Sequence, residues 1–177
     1  SCSNDTYTWF HGTVDDAISS MLPNSKKLIL LDFYSDGWGG CVQLDAETFT
    51  DIDVIKFSKS NLISIKLKPW EDEQASKLFD NYAGQGIPLL IFLNNNGEEV
   101  DRILGFHSAD KYLELVKNIY NGVDTYLSLK NQYQLGDYSS KVLEVNNSKL
   151  AVASNEEIRI KIPKLNWSEI VATSSDW

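Results

Sequence analysis

Four consecutive apolar residues, Leu28-Ile29-Leu30-Leu31, run into Asp32-Phe33-Tyr34 and then into Ser35-Asp36-Gly37-Trp38-Gly39-Gly40, with glycine at three of the last four positions. Unbroken hydrophobicity describes a strand with no solvent face, covered on both sides. The glycines mark a turn, after which Cys41-Val42-Gln43-Leu44 opens a helix. A chain that sends a buried strand through a Gly-rich loop into a helix must build an α/β core around that strand.

The flanking segments agree. Val14, Ala17, Ile18 and Met21 lie on one helix face, and Asp15 and Asp16 suit its first turn. After a break near 50–53, Leu62-Ile63-Ser64-Ile65-Lys66-Leu67 alternates with period two and stops at Pro69. Ala75, Leu78, Phe79 and Tyr82 predict a helix over 71–82, whose first-turn acids Glu71, Asp72 and Glu73 serve its dipole. Two strands, 88–93 and 99–104, flank Asn94-Asn95-Asn96-Gly97 and pair as an antiparallel hairpin. Tyr112, Leu115, Val116 and Ile119 predict a helix over 108–120, with Ser108 able to cap its free amides. From Lys27 the expected order is strand, helix, strand, helix, strand, strand, helix. Beyond it, Leu129 and Tyr133 give a helix over 125–135, and alternation in 149–153 and 157–162 gives a hairpin.

With 177 residues, one main core and an appendage are expected. The net charge of −9, from 16 basic and 25 acidic side chains, repels phosphate backbones, and no basic cluster interleaves with aromatics, so nucleic acid is not an expected partner. Only two cysteines, Cys2 and Cys41, are present, too few for a disulfide scaffold or a multi-cysteine zinc site. His11 and His107 have no ligand spacing and read as surface or capping residues; no metal or other cofactor is expected. Ser1-Cys2 looks like the junction at which bacterial lipoproteins start their mature chain, which makes Cys2 a candidate lipid attachment and membrane anchor; the other reading is an ordinary exposed cysteine. Asn4, Asn146 and Asn166 match the glycosylation pattern, as an Asn-rich chain does by chance.

The stretch Leu30 to Cys41 resembles the thioredoxin signature, an apolar strand, an Asp-Phe-aromatic step and then Trp-Cys-Gly-Pro-Cys. Without gaps, Trp38 takes the place of the first cysteine and Cys41 that of the second. A slip of one residue would keep Trp38 as the family's tryptophan, and the first thiol is missing either way. Glu47-Thr48-Phe49 is similar to the sequence that follows the motif in the periplasmic thioredoxin-like branch, Gly86-Ile87-Pro88 to the family's cis-proline segment, and Asn96-Gly97 through Gly105-Phe106 to its closing hairpin. The resemblance implies a thioredoxin-like fold, a central mixed sheet flanked by helices, with a C-terminal extension. The expected division is 1–6 as a flexible N-terminus, 7–121 as the thioredoxin-like domain and 122–177 as the extension.

The resemblance also assigns roles. The first thiol of the pair attacks a substrate disulfide, which Trp38 cannot do. Cys41 inherits the buried resolving position, either inert or a solitary reactive thiol, and Asp32 matches the buried acid that exchanges protons with it. Pro88 is expected to be cis, with Ile87 and Pro88 offering a backbone edge to an extended peptide. Trp38 is either an exposed anchor beside that edge or a folded-in core residue. Two functions follow: an exported, redox-degenerate protein that binds extended or unfolded polypeptide at Trp38, Ile87 and Pro88; or a one-thiol exchange enzyme in which Cys41, helped by Asp32, works on a redox partner protein.

Overall fold

The computed structural model describes residues 5–136. Cys2, the hairpin expected over 149–162 and the glycosylation matches at Asn4, Asn146 and Asn166 lie outside them. In chain order the elements are α1 (Val14–Ser20), β1 (Leu28–Phe33), α2 (Gly39–Gln43), α3 (Ile52–Asn61), β2 (Leu62–Leu67), α4 (Glu73–Asn81), β3 (Leu89–Leu93), β4 (Glu99–Leu104), α5 (Ala109–Tyr120) and α6 (Tyr126–Gln134). Four strands form one mixed sheet in the order β2-β1-β3-β4; β1 runs parallel to β2 and antiparallel to β3, and β3 pairs antiparallel with β4. Every residue of β1 is buried, as its unbroken apolar run requires of a strand between two others.

Alternation along β1 divides the core into two layers. Leu28 and Leu30 join Leu90, Phe92, Val54 of α3 and Tyr112, Val116 and Ile119 of α5. On the opposite face Ile29, Leu31 and Phe33 join Ala17 of α1, Phe79 of α4 and Leu89, Ile91 and Leu93. The first layer also carries Tyr7, Trp9, Phe49 and Tyr112, whose rings meet at centroid distances of 4.5 to 5.8 Å. The segment before α1 is thus part of the core, and Phe10 donates its N–H to the Ser64 carbonyl at 2.7 Å beside β2.

The elements differ from the sequence expectation at several points. The helix after the loop starts at Gly39, before Cys41, with Trp38 as its N-cap residue. It continues through a π-type turn over Leu44–Thr48, where the Phe49 N–H reaches back to the Leu44 carbonyl at 3.0 Å. The break near 50–53 is not a passage to the next strand but the start of a further helix, α3, whose cap Asp51 accepts from the N–H groups of Asp53 and Val54 at 3.0 and 3.1 Å. The helix expected from Glu71 begins at Glu73, because Asp72 turns its side chain to the Gln74 N–H as a cap. Ser108 stands at the N-cap of α5 but makes no side-chain cap bond. Lastly, α6 buries Tyr126, Leu129 and Tyr133 and packs against the edge strand β4. Among the described residues no helix is long and apolar enough to cross a membrane.

Candidate functional site

The carboxyl end of β1 delivers the chain to Ser35-Asp36-Gly37-Trp38. Gly37 has φ +73°, a left-handed conformation that glycine adopts freely, and the turn it makes aims Trp38 outward at the start of α2. Trp38 has no side chain suited to capping and makes no cap bond; its indole is 58% exposed. Of the two readings left open for Trp38, the folded-in one is therefore excluded. Three residues later Cys41 is 3% exposed, and burial pushes its thiol above the ordinary value, against a Ser35 backbone hydrogen bond that lowers it. A helix N-terminus normally favours a thiolate. Here desolvation wins, and Cys41 holds its proton.

Beneath the thiol lies a layer of buried polar groups. Asp32 is 1% exposed, and one of its oxygens, Oδ1, has no hydrogen-bond partner. Burial raises its carboxyl to about 7; the Lys66 ammonium opposes the shift and Asp45 adds to it. Asp32 pairs in register with Lys66 across β1 and β2. The ammonium of Lys66 donates to both Asp45 oxygens at 2.8 and 2.7 Å and sits 4.3 Å from the Tyr34 ring centroid. Tyr7 reaches the same layer, with its hydroxyl 2.7 Å from the Ser64 Oγ, and burial pushes that hydroxyl up to about 12. This arrangement stores a proton on Asp32 near neutral pH in a place that feels the charge state of Cys41.

The third part of the site is the Gly86-Ile87-Pro88 segment, whose Ile87-Pro88 bond is cis. A side chain at Gly40 would bring its Cβ to 3.1 Å from the Pro88 Cδ, so glycine there lets α2 approach the proline closely. The structure thus brings Trp38, Cys41, Asp32, Ile87 and Pro88 to one end of the sheet, with Trp38 and Ile87 lining one groove. Cys2 lies outside the described residues. The sequence reading missed Lys66, Asp45, Tyr7 and Ser64. Only Ser64 and Lys66 left a signal, two polar residues on one face of an alternating strand whose register places that face against the core. It also passed over Trp70, which follows Pro69 and faces the same groove as Trp38.

A family model of the thioredoxin-like domain matches residues 14–120, more than half of the chain. The chain belongs to the thioredoxin-like family. Curated relatives of this thioredoxin-like chain include the thiol:disulfide interchange protein DsbD of Photorhabdus laumondii, 27% identical over 101 residues that make 56% of this chain and 18% of that protein. DsbD of Campylobacter jejuni (strain RM1221) is 32% identical over 103 residues, 58% of this chain and 18% of that protein. The chain therefore spans about a fifth of the length of these relatives. Among solved structures, the DsbH oxidoreductase superposes with a TM-score of 0.56 at 17% identity, covering 68% of this chain and 90% of that one. The oxidised C-terminal domain of Neisseria meningitidis DsbD gives 0.52 at 23%, covering 63% and 98%. At these identities the structural likeness is one of fold.

Proposed function

We propose that this thioredoxin-like chain binds extended polypeptide at the surface formed by Trp38, Ile87 and Pro88, without two-thiol turnover. One observation carries the reading: the residue at the exposed N-cap of α2 is an indole, and the cysteine three positions on is buried and proton-bearing. An N-cap residue meets the solvent and any bound chain, whereas the residue one turn further in meets the core. An attacking thiolate belongs at the first position, where this chain has Trp38. The gapless alignment of the loop with the family motif is supported by that placement of Trp38 and by the closeness of Gly40 to Pro88.

What remains at the surface suits recognition. Trp38 projects beside Ile87, and an indole that becomes covered by a ligand contributes strongly to affinity. Backbone groups of the Gly86–Pro88 segment orient an extended chain, as strand addition does elsewhere. The domain division at 7–121, with 122–177 as an extension, is supported by the match ending at residue 120 and by the packing of Tyr7 and Trp9 in the core. Export is supported by the likeness of Glu47-Thr48-Phe49 to the periplasmic branch, and cell fractionation tests it.

The rival, one-thiol exchange by Cys41, draws on a single observation: Asp32, raised to about 7, exchanges its proton near neutral pH, so that its ionised form can accept the thiol proton. The two readings part in one experiment. The purified protein is titrated with reduced, carboxymethylated α-lactalbumin as an unfolded chain, and separately assayed for dithiol-driven insulin reduction. Binding that weakens by about 1–3 kcal/mol in Trp38→Ala, with no reduction above background, is expected. Turnover that is lost in Cys41→Ser and kept in Trp38→Ala would establish the rival.

A further inference from the structure

The groove beside Trp38 has lining residues that the peptide-binding reading does not use. It encloses about 540 Å³, within the roughly 300–1,000 Å³ of side-chain and small-ligand sites. Trp38, Ile87, Trp70, Phe79 and Gly84 all line it. Any Cβ at Gly84 would come within 2.4 Å of the Phe79 ring, so that ring fills the space a side chain would take, and Trp70 leans on it at 5.8 Å between centroids.

Trp70 is 65% exposed, more than Trp38, although one face of its ring meets Phe79. Two exposed indoles lining one groove form the kind of apolar patch, rimmed by polar groups, that marks a binding surface. Their loops are tied together. The Lys68 ammonium donates to Asp36 in the Trp38 loop and pairs with Glu71, next to Trp70, at 3.3 Å. One cation thus bridges the two loops that carry the indoles.

The rim also has a sign. Glu71, Asp72 and Glu73 follow Trp70 directly, and Asp36 reaches them through Lys68; the cations paired with these carboxylates, Lys68 and Lys77, are two against four. The balance is negative, and it attracts a positively charged ligand. A second copy of the chain, itself at −9, would bring the wrong charge.

We propose that Trp70 and Trp38 clamp one large apolar side chain of an extended partner peptide, and that the acidic rim selects peptides carrying Arg or Lys next to that residue. The proposal rests on the polypeptide-binding reading and deepens it: the Ile87–Pro88 edge holds the peptide backbone, the indole pair reads the side chain, and the carboxylates read its neighbour. Trp70 is the specificity-determining residue.

Three fluorescein-labelled Gly/Ser peptides test this by anisotropy titration against the full chain: one with a central Phe flanked by Arg, one with Phe flanked by Glu, and one with Ala flanked by Arg. The Arg-flanked Phe peptide is expected to bind at least about tenfold more tightly than either of the others, a difference of about 1.4 kcal/mol. Trp70→Ala is expected to bring the Phe and Ala peptides together, Trp70→Phe to restore most of their separation, and Glu73→Lys, outside the Lys68 tie, to narrow the preference for Arg over Glu with the fold untouched. If Trp70→Ala, folded by circular dichroism, leaves the Phe-to-Ala ratio at its wild-type value while Trp38→Ala weakens all three peptides, the subsite is wrong and the peptide-binding reading stands. If none of the peptides binds, or Trp38→Ala changes nothing, both fail. Sedimentation that shows a dimer dissolved by Trp70→Ala, or peptide binding that appears only after removal of residues 137–177, would give the groove a different occupant and overturn the proposal.

Discussion

Asp32 holds its carboxyl where water does not reach, and the cost of that placement varies with pH. Its folded-state pKa of about 7 lies above the ordinary 3.8, so the folded protein keeps a proton that the unfolded chain releases in between. The folded state binds more protons across this interval, and stability therefore falls as pH rises from about 4 to about 7 and levels off above. At about 1.36 kcal/mol per unit the full effect is on the order of 4 kcal/mol. Asp32→Asn is expected to flatten this part of the profile and to be the more stable protein at pH 8. Urea denaturation of both proteins at pH 5 and pH 8 checks it, and an equal pH slope in the two would refute the assignment to Asp32. A second expectation concerns Trp38. Cys-x-x-Cys pairs at a helix start form disulfides, and Trp38 and Cys41 occupy those two positions at the start of α2, so Trp38→Cys is expected to form a disulfide with Cys41 under mild oxidation. Thiol titration reads the loss of both free sulfhydryls, and a variant that stays fully reduced in the intact fold would mean that the loop holds the two side chains apart.

Among the elements, those with a strong local pattern were legible: the buried run of β1, the period-two alternation of β2, and the Asn-Gly step between β3 and β4. That step works through Asn94, whose side chain accepts from the N–H groups of Asn96 and Glu98, with Gly97 at φ +76°. The helix α3 was not legible, because Ile52-Asp53-Val54-Ile55-Lys56-Phe57 has apolar residues on several sides and no clean stripe. It forms because Asp51 caps it and because Val54 and Ile55 find the core. Asp51→Ala is accordingly expected to cost about 1 kcal/mol, measurable by chemical denaturation, whereas Ser108→Ala should cost little, since Ser108 makes no cap bond. Equal losses in the two variants would contradict this account.

For the whole molecule the open question is how firmly α6 belongs to the domain. It packs against β4, the edge strand of the sheet, and its own Leu129 is buried in that contact region. Leu129→Ala is expected to lower global stability by about 2–4 kcal/mol in a single cooperative transition. Hydrogen exchange in which α6 opens long before the sheet, with the main transition unmoved, would show instead that the helix is an independent attachment.

What the sequence by itself determined was the order of most elements, the family, the buried acid and the close partnership of loop and proline. Each is a matter of local pattern: periodicity, a glycine cluster, a motif in register. Only the tertiary structure decided that Trp38 faces outward, that Cys41 keeps its proton, that Lys66 and Tyr7 join Asp32, and that Trp70 lines the same groove as Trp38. Those facts depend on pairs of residues far apart in the chain, Asp32 with Lys66 and Trp38 with Trp70. A thiol's charge and an indole's exposure are set by the neighbours that folding brings and the water it removes, and neither is written in the residues on either side.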